Sequence, residues 1–381
     1  MARQREKQKK QKPLRYYDYS LLFLIIFLLC FGLVMLYSTS SYYGFTRFND
    51  SAYYVKKQIF ATVLGVIGMF ILSMIPYQFW MKFATLAYIV AFGLCVAVIF
   101  IGREAKGQSR WLQIGPLSFQ PSEFAKLATI LFIATVIYKT SSKLSSLQNL
   151  VKIGALAIPI VLPILYNNLS TAIIVAGIVV CMLFVASPKY KYFVALAAVG
   201  AAGVAMVIAI AMSGGEGGYR LERVQIWLDP SSHEKGYQTL QGLYAIGSGG
   251  LFGKGLGESM QKLGFIPEAQ NDMIFSVICE ELGLFGAVCV IIVFILMLWR
   301  LMVIANNADD MFGALLVVGI MSHLSIQVVL NIAVVTNTIP NTGISLPFIS
   351  YGGTSVIFLL AEMGIVLNVS RGIKLEEEYE E

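Results

Sequence analysis

The sequence predicts an all-α, polytopic integral membrane protein of about ten transmembrane helices, with one large extracytoplasmic loop and both termini cytoplasmic. Three observations carry this. The 381-residue chain is 57% hydrophobic and only 13% charged, with mean hydropathy +0.73, a composition suited to lipid rather than water. Apolar runs recur at about the 20-residue length that crosses a hydrocarbon core. Lys and Arg gather in alternate connections, as the positive-inside tendency requires.

In chain order, residues 1–19 form a basic cytoplasmic tail with Arg3, Arg5, Lys7, Lys9, Lys10, Lys12 and Arg15. Spans follow at about 20–38, 57–75, 83–101, 122–139, 150–166, 168–187, 190–213, 272–300, 311–336 and 347–370. The first is not a cleavable signal, since its apolar run of about 17 residues continues without a small-residue cleavage site. The fifth and sixth leave almost no loop at Tyr166-Asn167-Asn168. Lys82, Lys139, Lys143, Lys189, Lys191, Arg300, Arg371 and Lys374 then fall inside. The membrane domain covers 20–372 with its large outer loop at about 214–271, and 373–381 is an acidic cytoplasmic tail. The tails read as solvated or lipid-anchoring charge, each Lys or Arg near anionic lipid contributing about 1 kcal/mol, and no nucleic-acid partner is expected.

Several chemistries are excluded. Cys30, Cys95, Cys181, Cys279 and Cys289 all lie in apolar spans without CxxC spacing, so no disulfide framework or structural zinc is implied. The glycine-rich run IGSGGLFGKGLG fails the P-loop pattern, with Ser248 where the first glycine belongs and Gly255 after Lys254.

Three polar stretches punctuated by Gly and Pro interrupt the lipid-like chain: Gly107–Leu127, Phe265–Gly283 and Ile339–Ser355. Segment counting puts all three outside. Irregular backbone beside spanning helices persists against protein or water, not lipid, so a shared outward site is expected there. Arg103, Lys106, Arg110, Arg220, Arg223, Lys235, Lys254 and Lys262 run against the positive-inside tendency. Such cations suit a phosphate-bearing substrate; ordinary loop charge accounts for them as well.

The motifs GQSRWLQIG (Gly107–Gly115), FQPSEFAKL (Phe119–Leu127), YRLERVQIWLDP (Tyr219–Pro230), GYQTLQGLYAIGSGGLFGKGLG (Gly236–Gly257), IPEAQNDMIFSVICEELG (Ile266–Gly283) and NTGISLPFISYGGTS (Asn341–Ser355) occur in this order. Together they resemble the SEDS family (shape, elongation, division and sporulation) of FtsW/RodA type, over about residues 18–372, with the first spans more similar to the FtsW branch. The resemblance implies a peptidoglycan glycosyltransferase that polymerises lipid II in the bacterial cytoplasmic membrane. It further implies an outward active site and a class B penicillin-binding protein, with other division or elongation proteins, as partners. Asn167-Asn168-Leu169-Ser170-Thr171 departs from the family's Pro-Asp-Leu-Gly-Thr, and Asn271 stands where relatives usually have threonine.

Glycosyl transfer from a lipid diphosphate needs one base for the acceptor hydroxyl and charge for the leaving group. Asp272, between Pro267 and the apolar run Met273–Val277, suits that base, and the resemblance puts the family's essential aspartate there. An N-cap of the eighth span is the competing or concurrent role. Glu268 is an alternative base or metal ligand, Mg²⁺ or Mn²⁺ being the conceivable cofactor, with no ligand set legible from spacing. Glu280 and Glu281 lie about two turns into the eighth span and are expected to find internal partners.

Glu123 and Lys126, spaced i,i+3, suit an ion pair or the substrate site. Trp111 suits an interfacial anchor or a sugar platform, with Arg110 beside it for diphosphate. His323, Gln327 and Asn331 form one polar stripe, expected to hydrogen-bond between helices. Ser350 and Thr354 offer hydroxyls for a donor cradle, in a glycine-bearing segment that also suits tight helix packing. A lipid II flippase and a non-catalytic division scaffold remain alternatives; the absence of an evident repeat and the crowding of motifs at one face favour the enzyme.

Overall fold

The computed structural model describes residues 17–105, 108–114, 117–141, 144–212 and 219–373. Most of the basic tail, Lys106, Lys143 and the acidic end lie outside these residues. Among the described residues nine helices are long and apolar enough to cross a membrane, or ten if one bent pair is a single span. The all-α polytopic expectation therefore stands.

The chain begins with α1 (Tyr19–Phe48), α2 (Tyr53–Met74) and α3 (Gln78–Ile101). The Asp18 side chain caps α1 by accepting from the Leu21 amide at 2.8 Å, and its other oxygen receives Arg300 at 2.7 Å. A small antiparallel sheet of β1 (Arg103–Ala105), β2 (Gln108–Ile114) and β3 (Leu117–Phe119) follows in the order β1-β2-β3. Proline opens α4 (Pro121–Lys139) at its first position, where the missing amide hydrogen costs nothing.

The expected fifth span is broken into α5 (Leu147–Ala155) and α6 (Ile158–Asn167), bent by 48°. Pro159 explains the break, because it has no amide hydrogen to offer the Ala155 carbonyl and its ring crowds the preceding turn. Asn168 closes α6 and at once caps α7 (Leu169–Ala186), its side chain accepting from the Thr171 amide at 3.2 Å. That single residue accounts for the missing loop.

No residue in the spanning window of α8 (Lys191–Met212) is fully buried, and its contact with the core is through Tyr192 and Phe193 at its start. The large loop is not formless: it carries α9 (Tyr219–Leu228) and α10 (Tyr237–Ser248). The last three helices are α11 (Ile274–Asn306), α12 (Met311–Val335) and α13 (Gly353–Gly372). The final span thus starts at Gly353 rather than near 347, leaving 336–352 irregular between α12 and α13. With α5 and α6 taken as one span, successive spans alternate in direction. The sheet, the α6–α7 junction, α9, α10 and residues 336–352 then share the end opposite Tyr19.

Helix α11 is interrupted at Gly283, with φ 68° and ψ −169°. The loop after α10 supplies what the broken helix lacks. Lys254 and Gly255 amides donate to the Glu280 and Glu281 carbonyls at 3.0 Å each, and the Leu284 and Phe285 amides donate to Gly250 and Leu251 at 2.9 and 3.0 Å. Both buried glutamates are also paired through their side chains. Glu280 accepts from Lys254 Nζ at 2.7 Å and from Ser259, while Glu281 accepts from Lys262 Nζ at 2.7 Å and Ser38 at 2.6 Å. Lys254 and Lys262 are therefore structural cations, not substrate-facing ones.

A Cβ on Gly283 would overlap the Gly253 amide and the Leu251 carbonyl, in a left-handed conformation that already disfavours side chains. Gly283→Ala is expected to destabilise the protein by at least about 2 kcal/mol. Thermal unfolding in detergent and faster proteolysis within 249–264 would register it.

Candidate active site

All three polar stretches meet at one cavity of about 580 Å³. Arg110 and Trp111 enter from β2, Glu123 and Lys126 from the first turns of α4, Arg223 and Trp227 from α9, and Gln327 from α12. Glu268, Asn271 and Asp272 come from the turn before α11, and 341–345 with 351–353 complete the wall. Six of the expected site residues are therefore brought together: Arg110, Trp111, Glu123, Lys126, Glu268 and Asp272.

Asp272 does not cap α11. The N-cap position belongs to Met273, and Asp272, one residue before it, lines the cavity. Its backbone is fixed from below: Asn331 Nδ2 donates to the Asp272 carbonyl at 2.9 Å and to the Ile344 carbonyl at 2.7 Å. Gly343 has φ +69°, and a Cβ there would stand 3.7 Å from Asp272 Oδ2. Glycine thus serves the left-handed turn of the 341–345 segment beside the carboxylate.

Glu268 is held in a left-handed conformation at φ 53°, and its side chain accepts from Asn271 Nδ2 at 2.9 Å. Glu123 and Lys126 form the expected ion pair at 2.9 Å, almost wholly buried, while both still line the cavity. The two readings of that pair prove compatible. Arg110 Nε donates to the Asn167 carbonyl at 3.2 Å, which joins the departing Asn-Asn junction to the sheet. Burial pushes the Tyr351 hydroxyl up to about 12, so it stays a neutral hydrogen-bonding group on the wall.

Ser350 and Thr354 do not line this cavity. Ser350 Oγ accepts from the Leu346 amide at 2.8 Å, closing a turn, and Thr354 Oγ1 donates to the Ser118 carbonyl at 2.8 Å, fastening β3 to α13. Their hydroxyls are consumed by backbone, and their neighbours Tyr351, Gly352, Gly353 and Ser355 face the space instead.

Sequence reasoning gave no separate role to α9. Arg223 and Trp227, one turn apart, donate to the Asn341 and Asn337 carbonyls at 3.1 and 2.9 Å. They clamp the loop helix over the 337–341 segment. Their i,i+4 spacing in YRLERVQIWLDP was the available signal.

A family model for FtsW, RodA and SpoVE, described as cell cycle protein, matches residues 19–375. The chain belongs to this family. Among its FtsW/RodA/SpoVE relatives, stage V sporulation protein E of Bacillus subtilis is 37% identical over 369 residues, 95% of this chain and 98% of that one. A probable peptidoglycan glycosyltransferase FtsW of Trichlorobacter lovleyi is 38% identical over 377 residues, 96% of each. A chain from a structure described as structural coordination of polymerization and crosslinking by a peptidoglycan synthase complex matches with TM-score 0.78 and 28% identity, covering 94% of this chain and 99% of that one. Thermus thermophilus rod shape determining protein RodA matches with TM-score 0.68 and 28% identity, covering 94% and 98%.

Proposed function

We propose that this protein is a peptidoglycan glycosyltransferase that polymerises lipid II into glycan strands during division or cell-shape control. It works at the outer face of the bacterial cytoplasmic membrane with a class B penicillin-binding protein. The observation that carries this reading is the cavity itself: a carboxylate, Asp272, shares one space with Arg110, Lys126 and Arg223. The relatives' printed activity and the synthase-complex neighbour support it. Lys82, Lys139, Lys189, Lys191, Arg300 and Arg371 at the opposite end support the outward orientation.

The chemistry is one displacement. Asp272 accepts the proton of the acceptor sugar hydroxyl as its oxygen bonds to the donor anomeric carbon. The bond from that carbon to the diphosphate breaks, and undecaprenyl diphosphate leaves with the electron pair. Being a stabilised anion, it needs positive charge rather than a second acid, and Arg110, Lys126 and Arg223 supply it. Attack opposite the leaving group inverts the α-linked donor to the β-linkage. Trp111 offers its ring to a sugar. Among the described residues no group of three His, Cys, Asp or Glu side chains is placed to hold a metal. Mg²⁺ or Mn²⁺ would be held by Glu268 or Asp272 with diphosphate oxygens, the mixed coordination Mg²⁺ commonly uses, and would neutralise leaving-group charge.

Purified protein incubated with labelled lipid II, with and without the penicillin-binding protein, is expected to form glycan polymer. Movement of intact lipid II across vesicles without polymer would establish the flippase instead. The buried floor formed by Lys126 and Gln327, each 2% exposed, speaks against a through-path. Gly343→Ala is expected to lower the polymerisation rate several-fold, because an alanine at φ +69° costs about 1–3 kcal/mol and displaces the segment beside Asp272. Initial rates, measured well below a modestly lowered melting midpoint, check this.

A further inference from the structure

Below the cavity floor lies a buried polar chain that the transfer chemistry above does not use. His323 Nδ1 stands 2.9 Å from Glu362 Oε2, and its Nε2 stands 2.8 Å from Gln327 Oε1. His323 is 1% and Glu362 0% exposed. Gln327 Oε1 also meets Lys126 Nζ at 3.4 Å, and Gln327 Nε2 donates to the Ser345 carbonyl at 3.0 Å.

The polarity of this chain is determined. Turning the Gln327 amide over would aim its NH₂ at the Lys126 ammonium and its oxygen at the Ser345 carbonyl, which is unfavourable at both ends. Gln327 Oε1 is thus an acceptor, and His323 must present a hydrogen at Nε2. One further proton is shared between Nδ1 and Glu362, whichever atom holds it. Glu362 therefore holds the ring by its Nδ1 edge, in the orientation that presents Nε2 to Gln327. Gln327 and Asn331 then pin the consecutive carbonyls of Ser345 and Ile344, next to Gly343 and Asp272.

We propose that His323, oriented by Glu362, is a positioning residue for glycosyl transfer: through the Gln327 amide it fixes the 343–345 wall against Asp272 and holds Lys126 at the cavity floor. This rests on the transferase reading.

The test is a double-mutant cycle on lipid II polymerisation with His323→Phe, Gln327→Leu and both together. Loss of one oriented hydrogen bond predicts a fall in kcat of about tenfold with KM changed less than about twofold. The double variant should be no slower than Gln327→Leu alone. Glu362→Gln, whose amide can still donate to Nδ1, should retain most of the rate. Additive losses, or a wild-type rate in His323→Phe, would overturn the proposal. Nitrogen NMR of ¹⁵N-histidine protein decides it independently of turnover, since His233 and His323 are the chain's two histidines. A protonated, exchange-protected Nε2 on His323 that shifts in Gln327→Leu is expected; a bare Nε2 would refute the orientation. If wild type makes no polymer while that signal is present, the transferase reading fails and the hydrogen-bond polarity survives.

Discussion

Lipid II polymerisation by Asp272→Asn is expected to fall by roughly 10²–10⁴-fold, the usual contribution of a positioned general base. Asparagine matches the size of aspartate but cannot take a proton. The contact of Asn331 with the Asp272 carbonyl involves backbone and survives the substitution. The α11 cap is equally untouched, being Met273. KM should therefore change little while kcat collapses. A variant that is monodisperse in detergent yet polymerises at the wild-type rate would transfer the base role to Glu268, which lines the same cavity.

Lys262→Met should produce the largest loss of stability. It would leave Glu281, 0% exposed, without the ammonium 2.7 Å away. Removing one partner of a buried pair costs about 3–5 kcal/mol, because an uncompensated charge stays in a low-dielectric surrounding. Ser38 remains as a donor to Glu281, which keeps the loss from rising further. A clearly lowered melting midpoint for Lys262→Met is expected, with partial recovery in Lys262→Met combined with Glu281→Gln. Equal midpoints for Lys262→Met and wild type would mean the pair holds nothing together.

The spans were legible because lipid demands long apolar runs, and nearly every one falls where hydropathy puts it. The fifth also falls in place, but its break was not legible, because total apolarity survives a proline whereas helical continuity at Ala157–Pro159 does not. The loop helices escaped because α9 and α10 are short, with 10 and 12 residues, and take their support from tertiary contacts such as Trp227 to Asn337. Within the site, Asp272 was readable from its place between a proline-bearing turn and an apolar run. Ser350 and Thr354 misled for a physical reason: a hydroxyl's presence in a sequence does not say which backbone group has already taken it. The partners of Glu280 and Glu281 were anticipated in kind but not by name, since Lys254 and Lys262 lie about 20 residues upstream and meet them only through the loop's return.

The interruption of α11 at Gly283 has a bearing on biogenesis. Two adjacent glutamates would each raise the insertion cost of an ordinary helix by about 2.5–3.5 kcal/mol. The lysines and amides that neutralise them come earlier in the chain, from the loop that returns against the start of α11. That loop is thus the receptacle for the start of α11. A chimera that exchanges the loop between relatives should mature only when residues 249–285 travel as one cassette.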